Sequence, residues 1–330
     1  VRTVPERFGV PTSPLDAFDR RMGGRWTAMQ RAKNGLLAAL VPLLFMMADR
    51  LPAPWLVRLG RLVGRVLGVV LRRARRTARD RAGRCFAPAE AERIASACFA
   101  NAGENLAVSL LLRRPDTRAS DWVSVPEGAR AALDRALGDG RGAIFVSAHL
   151  GPFELVAAAV AELGYPASVV VRESYDPRLD QWVDAHRRAR GIDVIHRGKA
   201  SAGIRIVRAL RRGRLLGFLP DVGGRVPGVS TRFLGEAVSF PVGPERLAQR
   251  TGAPILVGTL ARRPASPGPP WELKVDMLTG SEDRDGSDEG HDLTHRVATA
   301  LERAIESEPG DWLWMSPSPN RQLPRQWQER

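Results

Sequence analysis

From about position 121 onward, strand-length apolar runs alternate with helix-length stretches, and this alternation constrains the fold more than any other feature. Residues 143–147 (AIFVS), 168–171, 193–195, 215–219, 255–260 and 273–277 read as strands. Residues 153–163, 177–189, 200–211 and 291–306 read as helices. A helix-length crossover between successive strands lets them pair in parallel, and a parallel sheet is covered by helices on both faces. The pattern therefore predicts an α/β fold with a mainly parallel or mixed central sheet and helices on both sides. A further long helix is expected over residues 88–112. The 330 residues suffice for one such domain with an N-terminal addition, and no internal repeat is evident.

That addition has its own character. Residues 35–48 (GLLAALVPLLFMMA) are uncharged and apolar, yet shorter than the roughly 20 residues a spanning helix needs. Residues 55–71 place Arg58, Arg61 and Arg65, with Arg72 beyond, at helical spacing among Leu, Val and Trp. A basic stripe beside a broad apolar face suits a helix lying in an anionic membrane interface, and a helix packed on the protein's own core is the competing reading. Gly60, Gly64 and Gly68 recur every four residues, a spacing that permits close helix–helix contact. The chain is accordingly divided into an N-terminal extension (1–28), a membrane-associating helical segment (29–84) and an α/β domain (85–330).

The formal net charge of +14 points to an anionic partner. Anionic membrane lipid is favoured over nucleic acid, because the basic run at 72–84 has no interleaved aromatics and no recognised nucleic-acid signature. Cys85 and Cys98 form no CxxC or zinc pattern and predict a reduced compartment. Residues 1–26 lack an apolar signal core, so the catalytic part is expected on the cytoplasmic face of the inner membrane, peripheral or monotopic.

The chemistry concentrates at FVSAHLGPFE, residues 145–154. A strand ends near Ser147, His149 sits in the following turn, Gly151 gives backbone freedom, and Pro152 suits the start of a helix whose first turn carries Glu154. With His149 in the loop and Glu154 in the first turn, the two side chains can converge at the carboxyl end of a strand, where α/β folds bind ligands. Histidine titrates near neutrality and suits proton removal from a hydroxyl, with a carboxylate on its other nitrogen to orient it. The backbone N–H groups of Phe153 and Glu154 are candidate oxyanion donors. The competing structural reading has Glu154 merely complementing the helix dipole.

Several blocks occur together and in order. They are the His149–Glu154 motif, VVVRESYDPRLD ending at Asp180, FLPDVGG ending at Gly224, RFLGEAVSFPVGPERLAQRTGAPI ending at Ile255, and the aromatic Trp312-Leu313-Trp314. Over roughly residues 121–314 the chain resembles the bacterial lipid A biosynthesis (lauroyl/myristoyl) acyltransferase family, within the wider glycerolipid acyltransferase-like superfamily. It departs from that pattern at Asp176, at Val222 and at the Met315-Ser316-Pro317-Ser318-Pro319 stretch. The resemblance implies a membrane-associated O-acyltransferase with a His149–Glu154 dyad and a glycolipid acceptor, most simply a lipid A precursor. It implies acyl carrier protein as partner and acyl donor, with acyl-CoA as the alternative co-substrate. It puts Arg172 in the family's arginine position, to bind phosphate or brace Glu154, and Asp221 where an acceptor hydroxyl would be positioned. Gly151 and Arg232 join the substrate-binding candidates, Arg232 from a strand.

Other chemistries lack support. There is no GxSxG elbow, no GxGxxG or Walker pattern, and the five histidines lack metal-ligand spacing. The acidic loop at 281–290 has Ser281 where a calcium loop needs its first ligand. No metal or resident cofactor is expected. The rival readings are acylation of another lipid (a lysophospholipid, a phosphatidylinositol mannoside, an amino-acid lipid) and a non-catalytic membrane or nucleic-acid binder.

Overall fold

A computed structural model describes residues 27–173, 177–223, 226–263, 267–278 and 291–316. The acidic loop at 281–290 and nearly all of the 1–28 extension lie outside these residues, as do Asp176 and Gly224. The apolar runs form a seven-stranded sheet. Its strands are β1 (Val123–Ser124), β2 (Ala143–Val146), β3 (Ala167–Val171), β4 (Asp193–His196), β5 (Leu215–Phe218), β8 (Ile255–Arg262) and β9 (Trp271–Leu278). The order across the sheet is β1-β9-β8-β2-β5-β3-β4. All neighbours are parallel except β8 and β9. β2 is the centre: all four of its residues are buried, as a strand covered on both faces requires. The crossovers are α6 (Glu154–Glu162), α7 (Pro177–Ala189) and α8 (Ala202–Arg211), which close β2-α6-β3-α7-β4-α8-β5.

A two-stranded antiparallel ribbon, β6 (Gly228–Phe233) and β7 (Glu236–Pro241), stands apart from the sheet. The remaining helices are α1 (Ala28–Arg50), α2 (Ala53–Val70), α3 (Arg72–Ala82), α4 (Pro88–Leu111), α5 (Glu127–Leu137), α9 (Gly243–Thr251) and α10 (Asp292–Ser307). Cys85 and Cys98 are free thiols.

The glycine spacing in α2 has a packing consequence. A Cβ built on Gly60 would lie 2.4 Å from the Gly103 carbonyl oxygen of α4, and one on Gly64 would lie 2.2 Å from that of Phe99. Only a face without side chains lets the two backbones approach this closely. The face that meets α4 also holds Arg61, which pairs with Glu104 and donates to Asn101 at 2.9 Å. Arg61 therefore ties α2 to α4, while Arg58, Arg65 and Arg72 are exposed. Among the described residues, α4 alone is long and apolar enough to cross a membrane, and it is largely buried here as the partner of α2.

Candidate active site

The site begins with strand register. β2 and β5 pair in parallel, Val146 beside Phe218. His149 and Asp221 each lie three residues past those partners, so the two loops leave the sheet level with one another. Asp221 Oδ1 accepts a hydrogen bond from His149 Nδ1 at 2.8 Å, and Oδ2 accepts the His149 backbone N–H at 2.8 Å. The same Oδ2 accepts the indole N–H of Trp312 at 2.8 Å. The Asp221 side chain is fully buried, and three donors satisfy it.

The sequence pattern places Glu154 on the imidazole; the structure gives that position to Asp221. Glu154, in the first turn of α6, is drawn instead to Arg187 of α7. Arg187 donates to its two oxygens from Nε at 3.1 Å and Nη2 at 2.5 Å. This bidentate geometry fixes the carboxylate plane. Glu154 nevertheless borders the same cavity as His149.

The electrostatics follow from these contacts. Burial alone would depress the His149 pKa. The charge and hydrogen bond of Asp221, with the charge of Glu154, outweigh it and hold the imidazole above the ordinary histidine value. Burial opposes ionisation of Asp221 and Glu154, but the His149 contacts and the Arg187 contacts, respectively, keep both carboxyls below their ordinary values. Burial lowers His186, the second imidazole on the cavity wall.

The His149 loop is held from two further sides. Leu150 bridges Trp312, and the Gly151 N–H donates to the Asp311 carbonyl at 3.0 Å. Asp311 is clamped by Arg262, Nε to Oδ2 at 2.6 Å and Nη2 to Oδ1 at 2.8 Å. Phe233 of the β6–β7 ribbon packs edge-on against Trp312, ring centroids 6.3 Å apart. The ribbon thus supports the indole that holds Asp221. Gly151 has φ +62°, and a Cβ there would lie 2.9 Å from the Trp271 ring, so this turn admits only glycine without strain.

A mostly apolar cavity of about 300 Å³ opens beside His149. Its wall includes Phe45 of α1, Leu106 and Leu110 of α4, Trp182 and Val183 of α7, and Leu313. Phe45 and Trp182 meet edge-on at 5.9 Å, and the Arg113 guanidinium lies over the Phe45 ring at 3.8 Å.

The other predicted residues fall as follows. Gly151 lines the cavity. Arg172 is exposed just past β3, at the same carboxyl edge of the sheet, and is not among the lining residues. The bracing of Glu154 belongs to Arg187. Arg232 is exposed on β6, and its charge acts on Cys85, away from the cavity. The Phe153 N–H, one of the two candidate oxyanion donors, is taken by the Gly151 carbonyl at 2.9 Å; the Glu154 N–H has no backbone partner among the described residues. Sequence reasoning missed Arg187 and the Trp312 indole. The recurrence of Trp182, Val183, His186 and Arg187 along one helical face of α7 was the available signal. Among the described residues no cluster of His, Cys, Asp or Glu is arranged to hold a metal ion.

A histidine held by a buried carboxylate thus stands at the carboxyl edge of a mixed sheet, beside a mostly apolar cavity. The comparisons identify the kind of protein. Residues 29–318 match the bacterial lipid A biosynthesis acyltransferase family, and the chain belongs to it. It is 27% identical over 277 residues to the lipid A biosynthesis palmitoleoyltransferase of Escherichia coli (strain K12), covering 81% of this chain and 85% of that one. The same figures hold for a lipid A biosynthesis acyltransferase of Shigella flexneri. The protein is an acyltransferase of the lipid A type.

Proposed function

We propose that this enzyme transfers a fatty acyl chain from a thioester, carried by acyl carrier protein or CoA, to a hydroxyl of a lipid A precursor at the membrane surface. The observation that carries the reading is the His149–Asp221 pair at the mouth of an apolar cavity. With Nδ1–H held by Asp221, Nε2 is the basic nitrogen. It removes the acceptor hydroxyl proton as that oxygen attacks the thioester carbonyl. The new C–O bond forms and the carbonyl electrons move to oxygen. When the tetrahedral intermediate collapses, the C–S bond breaks and the thiolate takes the proton from the imidazolium. Asp221 and Glu154 stabilise the imidazolium in between, so the His149–Glu154 relation is electrostatic and Arg187 positions Glu154. The Glu154 N–H is the remaining candidate of the pair for the oxyanion.

On this reading the enzyme sits, peripheral or monotopic, on the cytoplasmic face of the inner membrane, and the exposed apolar side chains of α1 and α2 support the membrane contact itself. α1 turns Leu40, Leu43 and Met46 outward while its Phe45 lines the cavity, which puts a lipid-facing surface beside the site. The test is transfer from an acyl-carrier-protein thioester and from acyl-CoA to a panel of acceptors, namely a lipid A precursor, a lysophospholipid and a phosphatidylinositol mannoside, with products read by mass spectrometry. Acylation of the lipid A precursor is expected. Acylation of another acceptor alone would overturn the assigned substrate.

A further inference from the structure

A second cleft, of about 280 Å³, lies outside the catalytic cavity and is lined by Val69, Arg72, Arg75, Arg76, Arg79 and Glu92. The arginines stand at i, i+3, i+4 and i+7 of α3 and so share one face. Arg75 pairs with Glu92 of α4 at 2.6 Å, and Arg79 with its neighbour Asp80 at 2.9 Å. Arg72 and Arg76 have no ion pair among the described residues. Like charges four apart on a helix repel, so Arg72 and Arg76, which have no carboxylate partner among the described residues, are mutually unfavourable unless an anion lies between them. Arginine suits a phosphate there, because its planar donor fork matches phosphate oxygens.

The setting indicates what carries the phosphate. The chain breaks direction at Leu71, and the last two turns of α2 are apolar and exposed: Val63, Val66, Leu67 and Val70 stand at the same i, i+3, i+4, i+7 spacing, and Val66 and Val70 are 53% and 66% exposed. The adjoining face of α2 is occupied, its glycines being packed on α4. A nucleic-acid backbone would engage the arginines and leave the apolar face bare. A bilayer lipid uses both.

We propose that the arginine cleft of α3 binds the phosphate of an anionic lipid whose chains lie against the exposed face of α2. This rests on the membrane-surface reading above and adds to it a headgroup site separate from the catalytic cavity.

The test is co-sedimentation of the full-length protein with vesicles of neutral phosphatidylcholine, and with the same vesicles carrying phosphatidylglycerol or phosphatidic acid. The wild type is expected to prefer both anionic compositions. The double variant Arg72→Gln/Arg76→Gln, checked for unchanged melting temperature, is expected to lose more than the roughly thirty-fold that two diffusely attracted charges contribute on anionic vesicles, and nothing on neutral ones. An equal change of charge on α2, Arg58→Gln/Arg65→Gln, is expected to lose clearly less. Equal losses from the two doubles would mean diffuse attraction and would overturn the site. Inorganic phosphate and glycerol 3-phosphate at matched ionic strength are expected not to release the vesicles; release by either would assign the cleft to a soluble phosphate. A double variant that binds vesicles normally but has a raised KM for the acyl-carrier-protein thioester would assign it to that protein. Wild-type binding to all vesicles without preference for anionic ones would overturn this inference alone. No binding to any vesicle would overturn the membrane reading with it.

Discussion

The substitution Asp221→Asn isolates what the carboxylate does, because its two oxygens have different partners. Oδ2 accepts two donors, the His149 backbone N–H and the Trp312 indole, while Oδ1 faces His149 Nδ1. The carbonyl oxygen of the introduced amide would take the two-donor side, since an NH2 there would oppose two N–H groups. Its NH2 would then face Nδ1 and require that nitrogen to accept. The tautomer reverses, Nε2 carries the proton, and the base is lost. The fall in kcat/KM should be about 10³- to 10⁴-fold, the size seen when an orienting carboxylate is replaced in a comparable triad, or about 4–5.5 kcal/mol of transition-state stabilisation. The pH profile gives an independent check. Only neutral His149 is a base, so wild-type kcat/KM should rise with pH through a value above the ordinary histidine pKa, because Asp221 and Glu154 stabilise the charged form against burial. Without the Asp221 charge, the residual activity should rise at lower pH than in the wild type. The assay is the initial rate of acyl transfer from about pH 5 to about pH 9, alongside circular dichroism to confirm folding. A folded Asp221→Asn variant with wild-type kcat/KM and an unmoved acid limb would refute the reasoning.

Three further outcomes are expected. Glu154→Gln should lower kcat by about tenfold to a hundredfold and move the acid limb slightly down, since the carboxylate supports the imidazolium through space rather than by a ring hydrogen bond; wild-type rates would confine Glu154 to a structural role. Gly151→Ala should reduce melting temperature and activity together, because a Cβ at φ +62° meets the Trp271 ring at 2.9 Å, with a stability loss of about 1–3 kcal/mol; an unchanged melting curve would show that the turn relaxes freely. Replacing Val63, Val66 and Val70 by Gln should weaken binding to neutral vesicles without changing melting temperature, because these side chains are already exposed; unaltered vesicle binding would remove the α2 face from the membrane contact.

Elements with strong local signals were legible in the sequence. β2, β3, α6 and α7 fall within a residue or so of the spans that periodicity gives, and the Gly60-Gly64-Gly68 spacing becomes a close contact with α4. The β6–β7 ribbon was not resolved as a hairpin, because its two-residue turn is Leu234-Gly235, with Leu234 at φ +51° and no Asn-Gly or Asp-Gly signal. The ring partner of His149 was hidden for a different reason. Glu154 is five residues away in sequence and Asp221 is 72, and only the adjacency of β2 and β5 brings the latter to the ring. Strand order is a long-range property that local periodicity does not carry. The side of α2 on which Arg61 lies was also out of reach, since Glu104 draws it inward while Arg58 and Arg65 stay exposed.

The proposed mechanism depends above all on His149 acting as the base in acyl transfer to a lipid hydroxyl. Single-turnover transfer from an acyl-carrier-protein thioester to a lipid A precursor, followed by mass spectrometry for wild type and a folded His149→Ala variant, tests it most directly. The wild type is expected to give a monoacylated product and the variant a rate about two to four orders of magnitude lower; a His149→Ala enzyme that acylates the precursor at nearly the wild-type rate would show that another group is the base.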